Sequence, residues 1–492
     1  MLFPSVSISG IPTVVTAALI AIDIAIRVVA IGIVPRNRRP SAALGWLLAI
    51  FFIPYIGILL YLAIGSPKLP KKRREKQDYI DSVIVGNTKG MKQLGDLATL
   101  PGWVRSAAIL NRRLGALPLI GGNAVELLDG YQHSLDAMTD AITRAKDYVH
   151  VEFYIFALDS TTTPFIEALE SAANRGVKIR LLLDHIGSAR SVGYRRTVNR
   201  LDAMNIEWYR MLPIRPWRGY YQRPDLRNHR KLLVIDGSVG FTGSQNIIDR
   251  SYNKKVNLRR GLQWKDLMVR TTGPVVDQIN ALFVSDWYGE TNELLTDVIN
   301  VLEPSDLDDG LQCQIVPSGP GFEGENNLRL FNALLYSARE RVVITSPYFV
   351  PDESMLYAIT TAAQRGLDVQ IFMGETSDQW LVYHAQRSYY EMLLRAGVQI
   401  FLYKSPYVLH SKLVTIDDDV AVVGSSNMDM RSFSLNLEIS LMVCAPEFVA
   451  EVRKIEDQYR RDSRQLHLEN WVQRPLWQRY VDNLCRLTSA LQ

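Results

Sequence analysis

The stretch NHRKLLVIDGSVGFTGSQN, residues 228–246, returns later in the chain as LHSKLVTIDDDVAVVGSSN, residues 409–427. In both copies a His precedes a Lys by two positions, an Asp follows that Lys by five, and Gly-Ser-x-Asn ends the stretch. Every shared residue is displaced by 181 positions without a gap, which predicts a duplicated structural unit. The shared residues are His229, Lys231, Asp236, Gly243, Ser244 and Asn246 in the first copy and His410, Lys412, Asp417, Gly424, Ser425 and Asn427 in the second.

The duplication extends beyond the motifs. A strand, a helix ending in Gly and a strand are predicted in the same order in both halves, at 148–156, 164–176 and 177–184 and again at 341–350, 354–366 and 367–374. We therefore predict an α/β protein with two pseudo-symmetric domains, 115–300 and 301–492, each a mixed sheet flanked by helices. The motifs occupy 223–250 and 404–431, and the boundary is placed near Asn300–Gln312.

Each His-x-Lys triplet begins an apolar strand, at 231–236 and at 412–417. Alternate residues of a strand share a face, so each His is predicted to point the same way as its Lys. The next short strand returns the Gly-Ser-x-Asn turn beside them, where Gly permits close backbone approach. Asp236 and Asp417 fall on the opposite face, so a structural role competes with a catalytic one for both.

Two apolar runs open the chain, at 11–34 and 43–64. Each is long enough to cross a bilayer, and the short link between them predicts a transmembrane helical hairpin over residues 1–66. The absence of Lys or Arg before the first run argues against a cleavable signal peptide, and a buried soluble hairpin is the alternative. Asp23 and Arg27 cost about 2.5–3.5 kcal/mol each at the centre of a span, so a shallow first helix is a second alternative.

Basic residues predict the orientation of this hairpin. Six of them follow the second run within the basic juxtamembrane linker, 67–114, and three separate the runs. The excess favours a multi-pass plasma-membrane protein whose catalytic domains are cytoplasmic, with the linker in solvent or against anionic head groups. These residues are Arg36, Arg38 and Arg39 between the runs and Lys68, Lys71, Lys72, Arg73, Arg74 and Lys76 after them.

Composition narrows the possible functions. A chain of 492 residues requires more than one core, and a net charge of +4 is too small to indicate a nucleic-acid partner. The three cysteines are too few and too scattered for a disulfide framework, which favours a reducing compartment. No metal-binding or nucleotide-binding motif is present, so neither a metal nor another cofactor is predicted. Nothing in the sequence excludes a homo-oligomer.

The repeated residues suit chemistry at a phosphodiester. Lys and Asn side chains that donate into one site favour a bound phosphate, and two copies favour a diester. A His can act as nucleophile or as proton donor near neutral pH. Two His brought together across a pseudo-twofold interface would divide a displacement at phosphorus into two steps through a phosphoryl-His.

On these motifs the chain resembles the phospholipase D superfamily, and more specifically its bacterial cardiolipin synthases. The resemblance covers nearly the whole chain and includes 43–65, PSGP (317–320), SPYFVPDE (346–353), 387–401 and GSSNMDMRSFSLNLE (424–438). It implies phosphatidyl transfer from one phosphatidylglycerol to another, giving cardiolipin and glycerol, in contact with anionic membrane lipids.

The resemblance also implies individual roles. His229 is expected to be the nucleophile and His410 the acid and base, with Asp266 and Glu438 orienting the two rings. Lys231, Lys412, Asn246 and Asn427 are expected to bind the phosphate, supported by Ser244 and Ser425, and Asp236 and Asp417 complete the catalytic set. Tyr154, Tyr348 and the remaining His are predicted to be packing or surface residues.

Three alternatives compete with the synthase. Water or another alcohol could replace the lipid acceptor, which would make the protein a hydrolase or a general transphosphatidylase. A nuclease is disfavoured by the apolar hairpin and by the absence of a basic, aromatic stripe. A non-catalytic membrane scaffold is disfavoured because both motifs are complete.

Overall fold

The computed structural model describes residues 13–36, 38, 40–66, 68–87, 100–214, 223–298, 310–322 and 324–489. The chain divides into two compact units, Met1–Pro67 and Lys68–Gln492. Each unit is described separately below. The predicted boundary near Asn300–Gln312 and the start of the first apolar run fall largely outside the described residues.

The N-terminal unit contains one helix that meets the requirements of a membrane span. Helix α1, Thr13–Ile33, includes the apolar stretch Val14–Ile33, which among the described helices is alone in being long and apolar enough to cross a bilayer. Asp23 and Arg27 form an ion pair of 2.9 Å along this helix, which lowers the cost of both charges. This N-terminal apolar helix indicates membrane association.

The second apolar run is not the single helix that we expected over 43–64. Helices α2, Pro40–Phe52, and α3, Pro54–Ile64, replace it, because Pro54 lacks an N–H and starts a new helix. The ring of Trp46 in α2 lies 5.6 Å from that of Tyr61 in α3, so the two helices fold back on each other. At 1.5 Å per residue they are about 20 and 17 Å long, shorter than the roughly 30 Å hydrocarbon core.

The second unit begins with two helices and then the first half of the repeat. These elements are α4 Lys71–Asn87, α5 Gly102–Gly115, β1 Ile120–Asp129, α6 Tyr131–Thr143, β2 Tyr148–Phe153, α7 Thr163–Asn174, β3 Lys178–Asp184, α8 His185–Ala189, α9 Tyr194–Ala203, β4 Glu207–Met211, β5 Arg227–Asn228, β6 Lys231–Ile235, β7 Val239–Gly243, α10 Lys255–Arg260, β8 Gln263–Lys265, β9 Leu267–Thr272 and α11 Val275–Thr291, followed by a short 3-10 turn at Thr296–Val298.

The second half repeats this order with additions at its C-terminal end. Its elements are β10 Leu311–Ser318, α12 Asn326–Ser337, β11 Arg341–Thr345, β12 Phe349–Val350, α13 Glu353–Gln364, β13 Asp368–Gly374, α14 Trp380–Arg395, β14 Gln399–Tyr403, β15 Tyr407–Leu409, β16 Leu413–Ile416, β17 Val420–Gly424, β18 Met428–Asp429, α15 Met430–Ser434, β19 Asn436–Cys444, α16 Pro446–Arg461, β20 Ser463–Leu466, α17 Leu468–Trp471 and α18 Leu476–Arg486.

The two halves share one mixed β-sheet. From the seam between β1 and β10, the strands run β1-β9-β7-β6-β2-β3-β4 in one direction and β10-β19-β17-β16-β11-β13-β14-β20 in the other. The order is the same on both sides apart from the additional edge strand β20. Within each half the inner strands are antiparallel and the outer ones are parallel, except that β20 pairs antiparallel with β14 at the edge of the second half. The α/β class and the two pseudo-symmetric halves are therefore confirmed. The halves do not form a sheet each, as we expected, but join in one continuous mixed sheet.

Helices cover both faces of this sheet. Apolar residues of α6 and α7 pack on the first half, and those of α12, α13 and α14 pack on the second. Helices α11 and α16 pack against a core that contains strands of both halves, with Trp287 and Tyr459 fully buried in it. The central core thus holds the halves in a fixed relation, on which the site described next depends.

The predicted linker 67–114 is largely helical where it is described. In α4, the guanidinium of Arg73 pairs with Glu290, and the Lys76 ammonium donates to the carbonyls of Tyr288 (2.9 Å) and Gly289 (3.2 Å). These acceptors lie at the C-terminal end of α11, where a helix attracts cations. Arg73 and Lys76 therefore dock α4 onto α11, whereas Lys68, Lys71 and Lys72 are exposed, so for these three a place in solvent or on lipid head groups stays a prediction.

Candidate active site

A strand from each half delivers the motif His onto the other half. Strand β5 pairs with β19, and the His229 N–H donates to the Leu437 carbonyl at 2.8 Å. In the same way β15 pairs with β8, and the His410 N–H donates to the Lys265 carbonyl at 2.8 Å. The two backbone arrangements are equivalent under the pseudo-twofold relation of the repeat.

Each imidazole is held by a carboxylate of the opposite half. The His229 Nδ1 lies 2.9 Å from the Glu438 carboxylate, and the His410 Nδ1 lies 2.6 Å from Asp266. Both carboxylates are fully buried. Because each one fixes the Nδ1 of its partner ring, the Nε2 atom is left to react. The residues predicted to orient the rings thus contact them, and they do so crosswise: each half supplies the carboxylate for the His of the other half.

The motif serines do not lie where the sequence predicted. Ser244 Oγ donates to Asp266 at 2.6 Å and Ser425 Oγ donates to Glu438, and both hydroxyls are fully buried. Their expected role as phosphate ligands is therefore corrected, because each serine holds the carboxylate that orients a His. Asp266 lies between β8 and β9 and Glu438 lies in β19, both beyond the motifs, so the motif alone gave no signal of this contact.

The motif glycines make that contact possible. A Cβ at Gly243 would lie 2.4 Å from the Leu267 carbonyl oxygen, and one at Gly424 would lie 2.3 Å from that of Ile439. Both distances are far below van der Waals contact. Only Gly therefore lets the turn approach the strand that carries the orienting carboxylate.

The motif lysines are buried next to their own His. The ammonium of Lys231 donates to the His229 carbonyl, and that of Lys412 donates to the His410 carbonyl at 2.6 Å. Burial lowers the pKa of Lys231 to about 7 and that of Lys412 to about 8. An ammonium has three donors, and the described residues accept one from each, so donors remain for an anion.

The motif asparagines both line the same cavity as the two His, but their contacts differ. The Asn246 amide donates to the Tyr252 hydroxyl at 2.9 Å, and its oxygen accepts the Ile155 N–H at 3.1 Å. The Asn427 amide oxygen is buried without a hydrogen-bond partner among the described residues. Asn246 is thus fixed by two hydrogen bonds to the protein, whereas the amide oxygen of Asn427 is not fixed in this way.

The motif aspartates lie away from the reacting groups, which corrects their place in the catalytic set. The Asp236 carboxylate accepts the backbone N–H groups of Lys146, Asp147 and Tyr148 at 2.8–2.9 Å. Asp417 accepts those of three residues at the same point of the second half, Arg339, Glu340 and Arg341. Both aspartates have a φ of 50°, a left-handed conformation that Asp tolerates in turns. They tie the motif hairpin to the chain before β2 and β11.

A cavity of about 850 Å³ contains the two imidazoles and the two asparagines. Tyr154 and Tyr348, predicted to be packing residues, also line it. The ring centroid of Tyr154 lies 5.0 Å from that of His229, and the centroid of Tyr348 lies 6.5 Å from that of His410. Sequence reasoning missed both, although their matching positions after β2 and β11 were a usable signal.

The electrostatics favour neutral rings beside ionised carboxylates. Burial lowers the pKa of His229 to about 4, although Glu438 opposes the shift, and burial also lowers the pKa of His410 against Asp266. Burial alone would raise the pKa of both carboxylates, but the His, Lys and Ser around them outweigh it and hold each pKa below its usual value. At neutral pH each Nδ1 therefore donates to a carboxylate, and each Nε2 carries a lone pair.

Comparisons with known proteins identify the family of the chain. A family profile described as "Cardiolipin synthase, PLD-like domain" matches residues 138–287 and 331–459, and one described as "Phospholipase_D-nuclease N-terminal" matches residues 20–66. Proteins named cardiolipin synthase A are similar over most of the chain. That of Proteus mirabilis (strain HI4320) is 34% identical and covers 92% of this chain and 94% of its own. That of Cronobacter sakazakii (strain ATCC BAA-894) is 35% identical and covers 94% and 95%.

A solved structure shares the fold. The phosphatidylserine synthase of Haemophilus influenzae Rd KW20 superposes with a TM-score of 0.60 at 16% identity, covering 80% of this chain and 100% of that one. This likeness shows the fold, and the family profile with the near full-length relatives shows the family. The chain belongs to the cardiolipin synthases of the phospholipase D superfamily.

Proposed function

We propose that this protein is a phosphatidyltransferase that joins two phosphatidylglycerol molecules into cardiolipin and releases glycerol. The observation that carries the proposal is the pair of imidazoles in one cavity, each held at Nδ1 by a buried carboxylate of the opposite half. Such a pair supplies one nucleophile and one proton carrier at a single phosphodiester.

In the first step His229 attacks the donor phosphorus. Its Nε2 lone pair forms the P–N bond while the P–O bond to the glycerol head group breaks. His410, which binds a proton at Nε2 when the phosphodiester anion lies beside it, gives that proton to the leaving oxygen and becomes neutral. Burial lowers the pKa of both rings, so the assignment of the nucleophile to His229 rests on the resemblance to the phospholipase D superfamily.

In the second step the head-group hydroxyl of another phosphatidylglycerol attacks the same phosphorus. His410 takes the hydroxyl proton, the P–O bond forms and the P–N bond breaks, which restores both rings. Lys231 and Lys412 oppose the charge that builds on the equatorial oxygens, and Asn427 donates to them. Their burial strengthens this effect, since the site is shielded from water.

We propose further that the apolar unit attaches the protein to the membrane by a single crossing, in place of the two crossings that the sequence predicted. Helix α1 crosses once, and the folded-back pair α2 and α3 enters and leaves on one side, where Arg38 donates to the Tyr61 hydroxyl at 3.3 Å. Arg36 and the basic residues from Lys68 onward then lie on the same side, which the positive-inside tendency makes cytoplasmic.

Cysteine accessibility tests this topology. Cysteines introduced at Arg36 and at Lys72 are expected to react only when the inner face of the membrane is exposed. Two full crossings would place Arg36 outside, so labelling of that position in intact cells contradicts the single crossing.

Product analysis tests the reaction. The full chain, purified in detergent and supplied with phosphatidylglycerol as its one lipid, is expected to release glycerol and cardiolipin in equal amounts. Phosphatidic acid without cardiolipin would make the protein a hydrolase. The His229→Ala variant is the matched control for products formed by contaminants.

A further inference from the structure

Three arginines line the cavity on the side of His229. They are Arg190, Arg227 and Arg431, and none of them is one of the repeated motif residues, although Arg227 and Arg431 fall within the motif ranges 223–250 and 404–431. We call this set the arginine lobe. Burial raises the pKa of the Tyr154 hydroxyl to about 12, and the positive charges of all three arginines oppose this rise. The ring of Tyr154 contacts that of His229. The three charges therefore converge beside the reacting imidazole.

Arg227 is built into the cavity wall with a donor to spare. Its side chain is 3% exposed, with Nη1 3.3 Å from Asp184 and Nη2 donating to the Leu212 carbonyl at 3.1 Å. Its Nε–H has no hydrogen-bond partner among the described residues. A buried guanidinium donor without an acceptor is costly, so this N–H points to an anion that the cavity receives.

Among the described residues, Arg227 is the one member of the lobe that pairs with a carboxylate. Asp184 pairs with Arg227 and accepts two backbone N–H groups, from Gly187 and Asn228. Asp225 pairs with Arg223, and Asp429 caps helix α15 at the Ser432 N–H. Arg431 donates to a neutral carbonyl, that of Asp225, at 2.8 Å. Arg190 and Arg431 therefore add positive charge that these carboxylates leave in place.

Among the described residues, the cavity lining beside His410 contains no arginine. Beside His410, the Tyr348 hydroxyl donates to Asp378 at 2.7 Å, and the lining continues with Trp380 and Leu381, which are 62% and 49% exposed. The arginine lobe is thus not part of the duplicated phosphate site. It is a separate addition to one half of the cavity.

We infer that the arginine lobe binds the phosphodiester anion of the acceptor lipid during the second step. This inference rests on the proposed function, because cardiolipin carries two phosphodiesters joined by one glycerol. Both anions must therefore occupy the cavity at the moment of transfer, while the motif residues serve only the phosphorus that reacts. Guanidinium groups suit the second phosphate because their planar donors match its oxygens. The lobe then selects an anionic lipid alcohol over water and over neutral alcohols.

The test compares acceptors within one reaction. The full chain, in vesicles of phosphatidylglycerol with added ethanol, forms cardiolipin, phosphatidylethanol and phosphatidic acid from the same phosphoryl-His. Arg431→Gln and Arg190→Gln are each expected to lower the ratio of cardiolipin to phosphatidylethanol about tenfold, since ethanol has no phosphate to bind. Arg431→Lys, which keeps the charge, should recover part of the ratio. Arg461→Gln on the exposed face of α16 is the matched control and leaves the ratio unchanged.

The outcomes separate the two proposals. A wild-type protein that forms phosphatidylethanol but no cardiolipin contradicts the proposed function before any variant is compared. A wild-type protein that forms cardiolipin, with an unchanged ratio in both arginine variants, overturns the inference alone. Equal loss of all three products overturns it too, because the arginines would then serve the donor lipid or the fold. Arg190 is exposed, so its variant tests the lobe without a risk to folding.

Discussion

The two half-sites share a frame and differ in their surroundings. In both, a motif His bonds through its N–H to a strand of the other half and through its ring to a carboxylate that a serine holds. Around that frame, Tyr154 is approached by three arginines, whereas Tyr348 is bonded to Asp378. The His, carboxylate and Ser arrangement that both halves retain supplies the chemistry. The residues around Tyr154 and Tyr348 differ, and this difference gives each half its own role.

The strongest test of unequal tasks is to remove each ring. His229→Ala and His410→Ala are both expected to lower cardiolipin formation at least a thousandfold, because neither step proceeds without a nucleophile or a proton carrier. The two variants can be distinguished with a donor phospholipid whose leaving group departs without taking up a proton. With it, His410→Ala should accumulate a phosphatidyl adduct that His229→Ala never forms, as seen by intact mass.

The reverse result would exchange the roles. An adduct on His410 in the His229→Ala protein would make the second half the nucleophilic one. The frame would stand, and the assignment of tasks to the halves would be wrong.

A smaller loss is expected when an orienting carboxylate is changed. Glu438→Gln and Asp266→Asn should each slow cardiolipin formation about a hundredfold, since the ring loses its fixed tautomer and its stabilised cation. Because the contacts are crosswise, Glu438→Gln should slow glycerol release in a single turnover. Asp266→Asn affects His410. With the donor lipid whose leaving group departs without a proton, this variant should therefore leave the first step fast. Equal slowing of that step in both variants would contradict the crosswise division.

The buried lysines predict a decline of activity at alkaline pH. Lys231 and Lys412, with pKa values of about 7 and about 8, are charged below those values and become neutral as the pH rises through them. The kcat/KM for phosphatidylglycerol should therefore fall as the pH rises above about 7, up to tenfold per unit. Lys231→Arg should move this decline to higher pH, whereas Lys454→Arg on exposed α16 should not. An alkaline limb that is identical in Lys231→Arg would exclude Lys231 as its source.

The least effect on catalysis is expected at the motif aspartates. Asp236→Asn and Asp417→Asn weaken the hold on three backbone N–H groups each, so each should lower the free energy of unfolding by about 1–3 kcal/mol. Activity per folded molecule should stay within about twofold of wild type. Thermal unfolding followed beside turnover checks both values, and a hundredfold loss in a folded variant would return these residues to the catalytic set.

The sequence was informative where period and local spacing decide the outcome. The repeat predicted the α/β halves, and strand alternation already opposed a catalytic place for Asp236. The sequence could not show that the Ser244 hydroxyl contacts Asp266, because that contact depends on how β7 pairs with β9. The crosswise placement of Glu438 and Asp266 depends on the seam between the halves, which no local pattern encodes.

At the N-terminus a usable signal was overlooked. Hydropathy treats 43–64 as one run, but Pro54 and the close approach of Gly57 to the backbone of α2 divide it. In the predicted linker, a run of basic residues looked like a surface for lipid. Its docking on α11 depends on tertiary contacts that charge alone does not reveal.

The crosswise carboxylates make each half an incomplete catalyst. A chain cut between α11 and β10 would leave one fragment with His229 but without Glu438, and the other with His410 but without Asp266. Neither piece could turn over alone, yet the two co-expressed pieces should regain activity by complementation if the seam re-forms. Activity is therefore a property of the joined sheet, and loosening β1 from β10 would silence the enzyme without touching any reacting group.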